Sequence, residues 1–566
     1  MAIGILNSAI SGLAAFQRSL DVTSNNIANV STEGYSRQRV ELQTSPEQYI
    51  GQGYMGSGVN ATNVKRAYDE FVNNQVRSSS TTFNDVNSFY LLSTRIDNLL
   101  ADQTSSLSSA MKTFFNSVND VANDPTALPA RQVMLSEGDA IANHFNMLSA
   151  RFEDIRQQVN NNLETSVQEV NGFAKSIADL NKQISDDIGK SSGQQLPNAL
   201  MDQRDLLLSK MAEKVDISVV PQPDGSFSVF MGQGQPLVLG GHASSVTLQR
   251  AENDPTRTQV MLDGQDITKT LSGGEIYGNL RFRDQMLDPA QQQLGLLATG
   301  FATEFNAIYQ TGYDLQNNSG VAFFDLNASN GSLPDAQVKS STTDATLKVN
   351  AKFVMPTLTP NPAKNLGASY RVDVTATTPS LTYTLTNLSD NNIPPLTGLD
   401  AATLTIKAAE NGFSIGFSGG AQTSGDSFLV SPQFNIAKTI KINPAITNPS
   451  QIAAASSSGL VGDNSNALKL AGLESQNLMQ GGSSSFTQVY GQMVASVGSQ
   501  THTASVSQSA QQVLLNQAIG AREDLAGVNL DEEAANLIKF QNAYQASAKA
   551  VSIASTLFDT IIGMVR

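Results

Sequence analysis

Two rows of apolar residues, one at each end of the chain, limit what this sequence can fold into. Leu6, Leu13, Leu20 and Ile27 recur at every seventh position, with Ile3 and Ile10 as companions. At the other end Leu530, Leu537, Tyr544, Val551, Phe558 and Val565 repeat that spacing, with Ala534, Ala548 and Ile562 as companions. Each row predicts an amphipathic helix with a coiled-coil seam. One such helix has nowhere to bury its stripe. The two ends are therefore expected to pack on each other and on neighbouring copies of the chain.

The energetics point the same way. Burying six apolar side chains contributes on the order of 10 kcal/mol. Ordering nearly forty residues costs roughly 1–2 kcal/mol per residue. A lone pair of terminal helices is thus expected to fray in the monomer and to order on assembly, where each row finds more partners. The alternative for the same residues is an ordinary intramolecular core. Asn529 and Glu532 stand at capping-box spacing, so Asn529 is expected to cap the last helix and Glu532 to reach back to it.

Composition narrows the possible partners. The chain has 566 residues, enough for three or four domains, and carries a net charge of −15 with only 15% charged residues. No basic stripe is present to neutralise phosphates, so neither a nucleic acid nor an anionic membrane surface is expected as a partner. Cysteine is absent. No apolar run approaches the ~18 residues of a membrane-spanning helix. The first residues have no basic start before their apolar stretch, so a cleaved secretory signal peptide is not expected.

Along the chain the pattern is nested. Residues 65–123, 129–188 and 199–215 read as long helices, which predicts a rod-like bundle. From Asp216 the residues alternate, and Pro223-Asp224-Gly225 marks a hairpin. Helix returns at 288–312. Between about 317 and 449 short alternating runs such as YRVDVTA, LTYTLTN, ATLTIKAA and FSIGFSG predict an inserted β domain. Helix resumes near Ser465 and runs, with a Gly-Gly-Ser break, to the end. The expected fold is a multi-domain α+β chain with a terminal coiled coil, a long-helix bundle and inserted β-rich domains. The expected divisions are 1–64 with 510–566, then 65–215 with 286–320 and 450–509, then 216–285, then 321–449.

No constellation predicts catalysis, a metal or a cofactor. Gly51-x-Gly53-x-x-Gly56 lacks the flanking strand and helix of a dinucleotide fingerprint. Ser414 and Ser418 each lie in a Gly-x-Ser-x-Gly, but no helix follows, as a nucleophile elbow requires. Asp314, Gln316, Asn318 and Asp325 approach a calcium loop but put Ser319 where glycine is needed. The three histidines, His144, His242 and His502, form no ligand spacing.

The segment SGLAAFQRSLDVTSNNIANVSTEGYSRQ (11–38) resembles the N-terminal signature of bacterial flagellar rod, hook and hook-associated proteins. GVNLDEEAANLIKFQNAYQASAKAVSIASTLFDTIIGMV (527–565) resembles their C-terminal signature. STEGYSRQRV, ALMDQRDLLLSKMAEKV, GYDLQNNSGVAFFD and SGDSFLVSP are similar to segments of the hook-associated members. Glu33 stands where relatives often have proline. The resemblance implies a structural adapter at the hook–filament junction, outside the cell, exported without a cleaved signal peptide. It implies self-assembly into a ring or short helical zone and contact with the hook protein and with the next junction protein. A cytoplasmic export chaperone on the C-terminal helix is implied as well. Another axial component, or a surface adhesin or glycan-binding protein, are the alternatives.

Overall fold

The computed structural model describes residues 2–49, 53–102, 106–191, 195–251, 254–326, 337–342, 344, 346–353, 369–378, 380–388, 393–411, 413–431, 436–480 and 482–565. The chain opens with helix α1 (Ala2–Ala28). A turn then leads into an antiparallel arm. Its strands are β1 (Gln38–Thr44) and β4 (Val59–Arg66), with a short hairpin, β2 (Gln48–Tyr49) and β3 (Tyr54–Met55), towards its tip. Val40 stands opposite Val64 and Thr44 opposite Val59, with a bulge at Glu41/Leu42.

The helical body follows as α2 (Glu70–Ala101), α3 (Leu107–Asn123), α4 (Leu128–Lys190) and α5 (Asn198–Lys214). The single helix expected over 65–123 is two helices. Asp102 takes an extended backbone at the end of α2, and Leu100 and Leu107 are both buried on either side of the break. In α4, Ile141, Phe145, Leu148, Phe152, Ile155 and Val159 keep one apolar face inward at the helical 3–4 spacing. Further on, α6 (Gly274–Phe282) runs through a π-helical turn (Arg283–Leu287) into α7 (Asp288–Tyr309). Phe114, Phe301, Phe305, Phe323 and Phe324 meet at the centre of the body with ring centroids 4.8–6.0 Å apart in their closest pairs.

Between α5 and α6 lie a four-stranded antiparallel sheet within 217–243 and a three-stranded sheet within 246–266. Val229, Val238, Val246 and Val260 join their inner faces to the core of the helical body. Gly225 makes the expected hairpin turn with φ 82°, and any side chain there would overlap Ile188.

The insertion has a separate core built from Tyr370, Val372, Tyr383, Phe413, Phe428 and Val430. Its five-stranded sheet runs in the spatial order 337–341, 427–431, 370–376, 382–387, 396–399. One expected strand is a helix: ATLTIKAA lies in α8 (Ala401–Glu410). Asp400 caps it by accepting the Thr403 N–H at 2.7 Å, and Leu404 and Ala408, four residues apart, are its buried positions. A strand would have placed Leu404 and Ala408 on one face as well, so alternation alone does not separate the two.

The chain returns through α9 (Ile436–Thr439) and α10 (Ser465–Gly472) to α11 (Phe486–Ala526) and α12 (Leu530–Val565). A capping box of Ser485 and Gln488 starts α11. The division expected at 510 falls inside α11, which runs unbroken from the body to Gly527.

Candidate functional site: the paired terminal helices and their clasp

α1 and α12 pack against each other along their length. Asn26 Nδ2 donates to Glu533 Oε2 at 3.1 Å, and Gly12 lies against Ser547. Fourteen residues separate the two contacts on each helix, in opposite directions, so the pair is antiparallel with heptad register. On α1 the side facing α12 is made of small and polar residues. Ala9, Ala15, Ser19, Thr23 and Asn26 are all buried, and so is Gly12. A Cβ on Gly12 would lie 3.3 Å from Ser547 Oγ, so the backbones approach closely there. Ala554 is the matching buried small residue on α12.

The predicted seam residues divide between the two helices. On α12, Leu537, Tyr544 and Val551 are half-buried beside the row Glu533, Phe540, Ser547 and Ala554, while Leu530 and Phe558 are exposed. On α1, Leu6, Leu13, Leu20 and Ile27 are only half-buried and Ile10 is 51% exposed. Leu13, Leu20 and Ile27 each follow by one residue the positions that face α12, Gly12, Ser19 and Asn26. At about 100° per residue they point to a different side. The side chains of Ile3, Ile562 and Val565 lie outside the described residues.

The third side of α1 is taken by the β1–β4 arm. The Val59 N–H donates to Ser11 Oγ at 3.2 Å, and Arg18 Nη1 donates to the Ala61 carbonyl at 3.1 Å. Gly58, with φ 106°, presses on Ser8 and Ser11 so closely that a side chain would overlap them. Ser11 and Arg18 stand two residues before Leu13 and Leu20, so the arm and the leucine row lie on nearly opposite sides of α1.

A polar clasp joins this pair to the helical body. Arg37 donates through Nε to Glu533 at 2.7 Å and pairs through Nη1 with Glu532 at 2.6 Å. Glu533 is 2% exposed. Asn26 Oδ1 accepts from the Tyr35 hydroxyl at 2.8 Å and from the Gln38 N–H at 3.0 Å. The Arg37 N–H donates to the Ala526 carbonyl at 2.9 Å, where α11 ends. Burial, with the negative charges of Asp202 and Glu533 nearby, pushes the Tyr35 hydroxyl up to about 12, so it stays a donor.

On the body side, Arg66 bridges Asp202 at 2.8 Å and Asp205 at 2.6 Å, both on α5. Asp202 also accepts the Ser36 N–H at 3.2 Å. Burial raises the Asp202 carboxyl, against the opposing pull of Arg66. Lys210 reaches Glu33 at 3.3 Å, and Gly34 (φ 79°) packs on Leu206. The turn that follows α1 is thus held on α5 whether or not a proline precedes Gly34.

Asn529 caps α12, its Oδ1 accepting the Asp531 N–H at 3.0 Å and the Glu532 N–H at 3.4 Å. The Glu532 carboxylate is directed at Arg37 instead of back to Asn529. A charge-assisted pair outcompetes a bond to a backbone amide. The clasp residues Tyr35, Arg37, Arg66, Asp202, Asp205 and Glu533 were not singled out by the sequence reading. The available signal was the sparse charge of both ends, with Arg37 and Arg39 close together near the start and Asp531, Glu532 and Glu533 in a row near the finish.

The remaining motifs stay apart. Ser414 and Ser418 lie on the strand Phe413–Ser418, paired with Lys348–Phe353; Gly412 and Gly51 lie outside the described residues. Asp314 accepts the N–H groups of Gln316 and Asn318, both at 2.8 Å, and forms a polar turn. His144 lies on α4, His502 on α11 and His242 in the small sheet. Among the described residues no group of three acidic or histidine side chains gathers, and no helix is long and apolar enough to cross a membrane.

Comparison with known proteins agrees with this layout. Residues 6–35 match the flagella basal body rod protein family, and residues 525–564 match the C-terminal region of the flagellar basal body rod FlgEFG proteins. Residues 93–324 match the helical domain of flagellar hook-associated protein FlgK. The class is therefore that of flagellar rod, hook and hook-associated proteins. Flagellar hook-associated protein 1 of Salmonella typhimurium is 33% identical over 99% of both chains, and that of Escherichia coli K12 is 31% identical over 99% of both. The Bacillus subtilis protein of the same name is 26% identical over 98% of this chain and 97% of its own. The chain belongs to the flagellar hook-associated protein 1 family. The flagellar hook junction protein FlgK of Burkholderia pseudomallei shares the fold, with a TM-score of 0.66 at 22% identity over 80% of this chain and all of that one.

Proposed function

We infer that this protein is a structural adapter joining hook to filament in the bacterial flagellum, and that it assembles through its terminal helices. The observation that carries the reading is the apolar surface that the terminal pair leaves exposed. The body and the insertion each close a core of their own. α1 meets α12 through small residues and the arm through Ser11 and Arg18, while Ile10 on α1 and Leu530, Ile538, Ile553, Leu557 and Phe558 on α12 stay exposed. Copies of the chain, gathered into a ring or short helical zone, supply the missing cover.

Full membership of the hook-associated protein 1 family supports the junction role and a place outside the cell. In this reading the protein works by geometry, with no catalytic step. Export proceeds without a cleaved signal peptide, and a cytoplasmic chaperone covers α12 beforehand. The hook protein lies on one side and the next junction protein on the other.

Deleting the protein from its host cell tests the role. The adapter reading expects hooks without filaments, and filament subunits lost to the medium. Normal filaments overturn it. Removing residues 528–566 tests the assembly mode. Unchanged melting and compactness of the body are expected, together with loss of junction formation, whereas unfolding of the body would make α12 part of an ordinary core.

A further inference from the structure

We propose that Asn26 is a positioning residue: its one side-chain amide sets where the β1–β4 arm and α12 stand relative to each other at the end of α1. Asn26 lies in the last turn of α1 and is 1% exposed. Its Oδ1 accepts from the Gln38 N–H at 3.0 Å, and its Nδ2 donates back to the Gln38 carbonyl at 3.0 Å. The amide thus pairs with the first residue of β1 as a neighbouring strand would. The same Nδ2 donates to Glu533 Oε2 at 3.1 Å, and the same Oδ1 accepts from the Tyr35 hydroxyl at 2.8 Å. A primary amide has two N–H donors and two acceptor lone pairs, and all four are used.

The rest of the seam places α12 less sharply. Ala9, Gly12 and Ala15 offer closeness without direction, and Ser19 turns its hydroxyl back to the Ala15 carbonyl of its own helix at 2.9 Å. A single buried amide among apolar or small neighbours is what fixes register in a helix pair. Beyond Asn26 the arm and α12 part. A cleft of about 390 Å³ lies between them, lined by Thr23, Arg39, Leu42, Asn536 and Phe540. Their spacing is therefore set at the base of the cleft and not by packing along it.

Arg37 closes the same base, but its guanidinium goes to α12, to Glu532 and Glu533. Glu533 gives one oxygen to each neighbour, Oε1 to Arg37 and Oε2 to Asn26. Asn26 alone joins α12 to the main chain of the arm through one planar group. No close substitute keeps its four bonds. Aspartate loses both donors and faces Glu533 with a like charge. Leucine, similar in shape, loses all four and leaves the partner groups unmatched.

The natural absence of cysteine makes the test direct. In the full-length chain, Leu42→Cys and Asn536→Cys carry spin labels, one on the arm side of the cleft and one on the α12 side. The distance between the labels is measured with Asn26 in place and in the Asn26→Asp and Asn26→Leu variants. One narrow distance is expected with Asn26, and a several-fold broader distribution in either variant, with helix content by circular dichroism unchanged. Asn25→Ala, exposed and next to it on the same helix, is expected to keep the narrow distance. A narrow distance in either Asn26 variant overturns the proposal, and so does a broad one with Asn26 in place. Equal broadening in Asn25→Ala overturns it as well, since the effect would then belong to the helix end and not to this amide. Broadening accompanied by loss of helix content also overturns it, because Asn26 would then keep the pair folded and would not set its placement.

Discussion

Phe301 and Leu13 are both apolar side chains on long helices, and their surroundings could hardly differ more. Phe301 is fully buried, touching the rings of Phe114, Phe115, Phe305, Phe324 and Phe486. Leu13 lies half-buried beside a seam made of glycine, alanine and serine. The helical body has spent its apolar surface on itself. The terminal pair has closed on small residues and left Ile10, Ile538, Ile553 and Phe558 exposed. A helix pair that must join further helices gains from this arrangement, because closing the first contact does not use up the surface needed for the next.

Mutations can break or sharpen that contrast. The largest effect is expected for Phe301→Ala, which leaves a cavity in the aromatic centre and should cost the body about 3–5 kcal/mol in denaturant unfolding. Next comes Arg37→Ala, which strands the buried Glu533 without its partner. A local loss of about 3 kcal/mol is expected, seen as faster amide exchange over 530–540 while the exchange of α4 is unchanged. If α4 follows, the clasp belongs to the body and the two regions are one unit.

Gly12→Val should push α1 off Ser547 at a cost of about 1–3 kcal/mol, again confined to the terminal pair. A pH effect is expected in the body. Asp85, buried on α2 beside Arg281 at 3.0 Å, is raised by burial to about 6 from an ordinary 3.8. A raised carboxyl contributes stability that is fully present below about pH 4 and lost as pH rises through about 6. Melting of the body should follow that window, and Asp85→Asn should flatten it. Smallest of all is Ile10→Ala in the isolated chain, expected to cost under about 1 kcal/mol because the side chain is already 51% exposed. The same change should still impair junction formation in cells, as counted by filaments per hook. A large stability loss from Ile10→Ala would show that this side of α1 is ordinary core.

Much of the secondary structure could be read from the sequence: the length of α4 and the two terminal helices follow from apolar spacing, and the start of α11 from the Gly-Gly-Ser break before it. Periodicity failed at ATLTIKAA, where Leu404 and Ala408 fit either pattern and the Asp400 cap decided for helix. It also failed at Asp102 and Ser106, which both take extended backbone inside what looks like one helix. The choice of face on α1 was hidden for another reason. Apolar rows are visible in a sequence, but α12 approaches through Gly12 and Ser19, where smallness permits contact and hydrophobicity gives no clue. The clasp was hardest to see. Arg37 and Glu533 stand hundreds of residues apart, and ion pairs at that separation leave no local pattern.

The clasp has a mechanical consequence. The polypeptide passes between the body and the terminal pair at two places, the turn after α1 and the Gly527–Asn529 link before α12, and the Arg37 N–H bond to Ala526 holds both crossings together. A pull along the coil is shared by two covalent strands. A torque has to rotate both strands about each other and shear the Arg37–Glu533 pair. The joint is accordingly suited to carry rotation between the terminal pair and the body, with little play between them.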